Sequence, residues 1–220
     1  EADLEAEGVG IIDIRSVYDI AGTDIAPGGI AVLRDPAVTL AAARPARFVR
    51  IEKPVSMPDD DVRDFDGSAF GVTRAFGMRE ILGYAPVEPD GSVRVKVPAD
   101  VAFALTVRDA NGRRIGARHD NWLQVRAGQE LKCNGCHSPT RVDSHGRDNL
   151  FAPANAGAPG TGVPFPNTNP AYFADFGETM AQVRARVSCQ TDCADLLPAT
   201  AIRYEDVWTD PVAAGRAPDA

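Results

Sequence analysis

Glu88-Pro-Asp-Gly-Ser-Val-Arg-Val-Lys-Val97 is the stretch on which the fold turns. Its first four residues spell a turn. Val93, Val95 and Val97 then alternate strictly with Arg94 and Lys96, the period of a strand with one buried face. Working outward, Pro98-Ala-Asp100 turns the chain and Val101-Ala-Phe-Ala-Leu-Thr-Val107 returns it. Asp109-Ala-Asn-Gly112 is another turn of the kind hairpins use. Upstream, residues 9–20 and 46–55 read as strands, with Gly22 to Gly29 as the break after the first and a Pro- and Asp-rich loop from Met57 to Gly67 after the second. Downstream, the segment from Trp122 to Leu131 reads as a strand. Strands at this spacing predict a mainly β fold, a β-sandwich-like meander over residues 1–132. Residues 133–220 are expected to be loop-rich, with one or two short helices (Gly177 to Arg186 the clearest), and to form one integrated domain with the first region.

Composition agrees. The chain has 220 residues, with 23 Lys+Arg against 31 Asp+Glu and a formal charge of -8. That length is one or two domains of ~150 residues. Seventeen Pro and twenty Gly are more than a helical bundle tolerates. A pI near 4.9, with no stripe of Lys or Arg, argues against nucleic acid. No apolar run approaches the ~18 residues that would span a bilayer. Glu1 in the place of an initiator Met suits a processed or excised chain.

Chemistry enters at Cys133-Asn-Gly-Cys-His137, the C-x-x-C-H pattern of covalent haem attachment. Two thiols three positions apart reach the two vinyl groups on one edge of a porphyrin, and the next residue offers its imidazole to the iron as proximal ligand. Gly135 is expected to permit the tight turn between them. A thioredoxin-like redox pair would want a βαβ setting, which the surrounding pattern lacks. A zinc site of Cys133, Cys136, Cys189 and Cys193, or two simple disulfides, are the other readings. Cys189 and Cys193 enclose three residues and no His follows, so the economical reading is a small disulfide loop, worth roughly 2 kcal/mol by chain entropy. Haem attachment and a disulfide both require assembly outside the reducing cytosol, so a periplasmic or extracellular location is expected.

An electron-transfer haem needs a second axial ligand. His119, in Arg118-His-Asp-Asn-Trp122, ranks first; His145 is second and Met180 third, with Met57 and Met78 behind. Trp122, Phe151, Tyr172 and Phe173 are candidate walls of the haem pocket, against an equal reading as core. Arg118, Arg141 and Arg147 are candidate propionate partners, against solvated surface arginine. The run Asp59-Asp-Asp61, Asp64 and Asp66 would suit Ca2+ through several carboxylates but departs from the EF-hand pattern, and a solvated loop is the simpler reading. Residues 138–170 carry few large apolar side chains and are expected to lack a core of their own, a deficit that a haem would fill.

Met78-Arg-Glu-Ile-Leu-Gly-Tyr84, the stretch from Val87 to Pro98, and Cys133 to His137 together resemble the haem-bearing middle domain of the hydrazine synthase alpha subunit and related multihaem-type proteins. Arg44 to Arg50, Trp122 to Gly128 and Gly177 to Met180 look like the same lineage, over about residues 9–210. The resemblance implies a β-rich domain with one c-type haem, and in that family a Met often stands where this chain has His119. It does not imply hydrazine synthesis. In the synthase a Tyr four residues past the motif His takes part at the haem, and that position is Arg141 here. The expectation is therefore an exported single-haem electron carrier with a basic redox partner or neighbouring haem subunits. The alternatives are a catalytic haem domain acting on a small nitrogen or oxygen species, and a zinc- or disulfide-stapled binding domain.

Overall fold

The computed structural model describes residues 2–66, 77–117, 119, 121–136, 152–188 and 207–209. Along the chain run α1 (Ala2–Glu7), β1 (Val9–Ile14), β2 (Asp19–Ile20), β3 (Thr23–Asp24), α2 (Ile30–Leu33), β4 (Phe48–Val55) and β5 (Met78–Pro86). Then follow β6 (Val93–Pro98), β7 (Ala104–Arg108), β8 (Glu130–Cys133), β9 (Val163–Pro164), β10 (Phe173–Ala174) and α3 (Met180–Ser188). The protein is mainly β, as the alternation predicts.

Two three-stranded sheets carry the main core. One has the order β6-β1-β8, the other β5-β4-β7. In the first, β1 is antiparallel to β6 and parallel to β8, with Ile14 opposite both Val93 and Cys133. In the second, β4 is antiparallel to both neighbours, with a bulge between Ile51 and Glu52. The inward faces meet in one cluster, where Ile12, Val93, Val95 and Val97 of the first sheet lie with Val49, Ile51 and Ala85 of the second. Ile51 and Val97 are completely buried. At about 1.5–3 kcal/mol for each fully buried aliphatic side chain, this cluster is the main stabilising mass of the fold.

Sequence reading and structure differ in the bounds and connections of several strands. The 98–100 turn does not close a hairpin. Asp100, at φ 59, donates its N–H to the Val125 carbonyl, and the chain crosses from the first sheet to the second. Residues 9–20 are not one strand: β1 ends at Ile14 and the two-residue β2 follows at Asp19. Between them the Ser16 hydroxyl donates to the Asp90 carbonyl and accepts the Tyr18 N–H, which pulls the backbone out of the ladder. Trp122 to Leu131 is not one strand. A single bridge joins Leu123 to Phe103, a turn with Gly128 at φ 75 follows, and β8 begins at Glu130. Residues 152–170 contribute only Ala158 and Phe165 to a second, smaller cluster, in which they pack with Ala174, Met180, Val183 and Trp208. Those partners come from β10, α3 and residue 208, further along the chain.

Candidate functional site

The site grows from the end of β8. Past the Ile14–Cys133 pair, residues 133–136 continue alongside residues 15–21 through backbone hydrogen bonds. Arg15 N donates to the Cys133 carbonyl (2.8 Å), Ser16 N to Asn134 (3.1 Å), Cys136 N to Asp19 (2.8 Å) and Ala21 N to Cys136 (2.9 Å). Cys136 also forms a parallel bridge with Ile20. The pentapeptide's first four residues are thus fixed by the backbone of 15–21 rather than carried on an unattached loop.

Gly135 is required, but not for a turn angle. Its φ lies outside the left-handed region, and a Cβ there would stand 2.3 Å from the Asp19 carbonyl oxygen and 2.8 Å from that of Ser16. The reason is close approach of two backbones. Gly91 does the equivalent work on another side of the same segment. At φ 82, its added Cβ would stand 2.3 Å from Ser16 Oγ, and its carbonyl accepts the Val17 N–H. Residues 16–19 are therefore held between two glycines.

Buried polar side chains lock this arrangement. Asp19, 1% exposed, accepts from Gly22 N (2.7 Å) and Ala154 N (2.8 Å). Asp90, completely buried, accepts from Ser92 N and Oγ, from Asn155 Nδ2 (2.9 Å) and from Met180 N (3.0 Å). Asn155 in turn donates to the Arg15 carbonyl, and Arg15 donates to the carbonyls of Asn155 and Gly177. Sequence reasoning missed Ser16, Asp19, Asp90 and Asn155, because buried polar residues in turns carry the same letters as solvated ones.

Cys133 is half-buried and Cys136 exposed, and no disulfide joins them. Although Cys136 reaches solvent, dense protein around its sulfur and, second, the Asp19 carboxylate push its thiol up from 9.0 to about 11. A redox-active C-x-x-C pair has the opposite setting, a first cysteine at a helix N-terminus with a depressed pKa. Here Cys133 closes a strand. The two cysteines differ in setting: Cys133 packs against the edge of the main core, while Cys136 is exposed. The donor set, two cysteines three positions apart on a backbone held by residues 15–21, fits a covalently bound porphyrin.

The remaining sequence candidates are dispersed. His119 is half-buried. Trp122 is 38% exposed, with the Arg79 guanidinium 4.6 Å above its ring. Met180 is completely buried in the second cluster, where Tyr172 lies 5.3 Å from Trp208. Phe173 is exposed beneath Arg186. Met57 and Met78 are partly exposed. Residues Arg118, His137, Arg141, His145, Arg147, Phe151, Cys189 and Cys193 lie outside the described residues. Among the described residues no group of three or more His, Cys, Asp or Glu could hold a metal ion.

Comparison with known proteins bears on the same stretch. The family model for the hydrazine synthase alpha subunit middle domain matches residues 47–138, from just before β4 to just past His137. No curated protein matches the chain. Among solved structures, Kuenenia stuttgartiensis hydrazine synthase aligns over 64% of this chain and 19% of its own, at 20% identity and a TM-score of 0.40. The chain thus spans about a fifth of that protein's length. Over residues 47–138, then, this protein is similar to the middle domain of the hydrazine synthase alpha subunit.

Proposed function

We propose that this chain is an exported electron-transfer domain with one covalently attached haem. Cys133 and Cys136 would form the thioethers, His137 would be the proximal ligand, and His119 is the favoured distal ligand. The observation that carries this reading is the Cys133–Cys136 segment, its backbone held by residues 15–21 and Cys136 exposed. A haem held there supplies reversible one-electron chemistry. The chain's own residues contribute rigidity: Gly135 lets the segment seat, and Asp19, Ser16, Asp90 and Asn155 keep its bed from shifting.

Assembly outside the cytosol follows from the thioether chemistry and from the small Cys189–Cys193 disulfide that we assign to the C-terminal region. The net charge of -8 favours a redox partner with a basic contact patch. The similarity to a domain of an alpha subunit supports neighbouring subunits as the alternative source of electrons. No helix among the described residues is long and apolar enough to cross a membrane.

Absorption spectra of the purified protein test the reading. The electron carrier gives a sharp Soret band, split α and β bands on reduction, and no response to carbon monoxide. A Soret band shifted by carbon monoxide would instead support the catalytic alternative, a five-coordinate iron open to a small nitrogen or oxygen species. A protein without visible absorption would contradict both. His119→Ala is expected to turn a low-spin spectrum high-spin; an unchanged spectrum would pass the distal role to His145 or Met180.

A further inference from the structure

The outward face of the β5-β4-β7 sheet, independent of the haem reading, gathers positive charge in an acidic protein. Val49 and Ile51 of β4 point to the core, so Phe48, Arg50 and Glu52 point away from it. Register places Tyr84 and Thr106 beside Arg50, and Arg108 beside Phe48. Arg79 sits opposite Pro54 on the same face, beyond the bulge. Among the described residues, three guanidiniums therefore share this face with the Glu52 carboxylate, and Arg114, bridged to Arg108, lies at the edge.

That carboxylate is already used. Glu52 takes Arg50 Nη2 at 2.5 Å on one oxygen, while Thr106 Oγ1 (3.2 Å) and Arg79 (3.9 Å) share the other. Neighbouring acids do not help. Glu80 pairs with Lys53, which alternates to the opposite side of β4, and Asp109 is taken by the backbone N–H groups of Asn111 and Arg113. The Arg108 side chain donates one hydrogen bond, to the Gly112 carbonyl, and pairs with no carboxylate among the described residues. The Nε atoms of both Arg50 and Arg108 are shielded from solvent without an acceptor. A charged donor left this way is costly, and an anion nearby offsets the cost. In the same sense, desolvation first and the Arg50 charge second hold the Arg108 guanidinium below its ordinary range.

We propose that Arg50 and Arg108, with Arg79 beside them, form a binding site for a small divalent oxyanion of the phosphate type. Two guanidiniums present paired N–H donors to the several oxygens of one such anion, and the Nε atoms of Arg50 and Arg108 have no acceptor of their own. The test is calorimetric titration of the full, mature protein with inorganic phosphate, against sodium chloride at matched ionic strength. Circular dichroism checks the fold of each variant. Saturable phosphate binding is expected, with no equivalent from chloride, and with at least tenfold weakening in Arg108→Gln and in Arg50→Gln. The exposed Arg126, elsewhere on the molecule, serves as control, and Arg126→Gln should bind as the wild type does. Three results would overturn the proposal: no saturable binding, equal weakening in the control, or full affinity in folded Arg108→Gln.

Discussion

The two clusters of the molecule are built on different principles. The larger one joins two sheets through aliphatic side chains, and each contact is non-directional and tolerant. The smaller one, around Trp208, has six buried members and is tied to the sheets by buried polar bonds. Asp90 holds the N-terminus of α3, Glu88 receives both Arg184 and Trp208, and Arg15 exchanges hydrogen bonds with Asn155. A small cluster cannot bury enough apolar surface to hold itself in place, so specificity passes to charged and hydrogen-bonded groups whose failure is abrupt. The Cys133–Cys136 segment lies against the strip, residues 15–21, where the two regions meet.

Breaking the polar tie should therefore cost more than trimming the sheet surface. The largest effect is expected from Asp90→Ala, which leaves the donors of Ser92, Asn155 and Met180 buried without an acceptor. A loss of about 3–5 kcal/mol in urea unfolding is expected. Amide protection should fall in α3 before it falls in β1 and β4. Equal loss in both regions would mean that they are a single cooperative unit.

Gly135→Ala comes next. Its Cβ would stand 2.3 Å from the Asp19 carbonyl, and such overpacking costs about 1–3 kcal/mol. Because the displaced segment carries both cysteines, haem content per protein chain should drop as well. A variant with full stability and full haem content would refute the close-approach argument.

Glu88 gives a pH test of the polar tie. Burial raises its pKa above 4.5, outweighing the Arg184 charge and the Trp208 and Arg184 hydrogen bonds, which lower it. The folded state thus holds the proton more tightly than the unfolded chain does. Its contribution is fully present below the unfolded pKa and is lost as pH rises through the raised folded value. The stability of wild type minus that of Glu88→Gln should accordingly decline with rising pH from about 4.5 upward. A difference that grows with pH would reverse the assignment. The smallest effect, about 0.5–1 kcal/mol, is expected for Trp122→Leu, which removes a half-exposed ring from beneath Arg79.

The same contrast explains what was legible in the sequence. β6 was plain because Val93, Val95 and Val97 alternate over one buried face. β5 was missed as a strand: Arg79, Glu80 and the exposed Ile81 blur its period, and the extra residue Leu82 shifts its register against β4. The second cluster was unreadable, since Ala158, Phe165, Ala174 and Trp208 have no common period and meet only through tertiary folding. At the site, the cysteine spacing was legible from chemistry. Gly135 was legible as necessary but for the wrong reason, because close approach between distant segments leaves no local signal.

Denaturing mass measurement tests the central claim most directly, on protein exported from a host that attaches c-type haem. The wild-type chain should weigh one haem more than its 23.4 kDa of amino acids, and the Cys133→Ser, Cys136→Ser double variant should weigh its amino acids alone. A wild-type chain with no added mass would contradict the account.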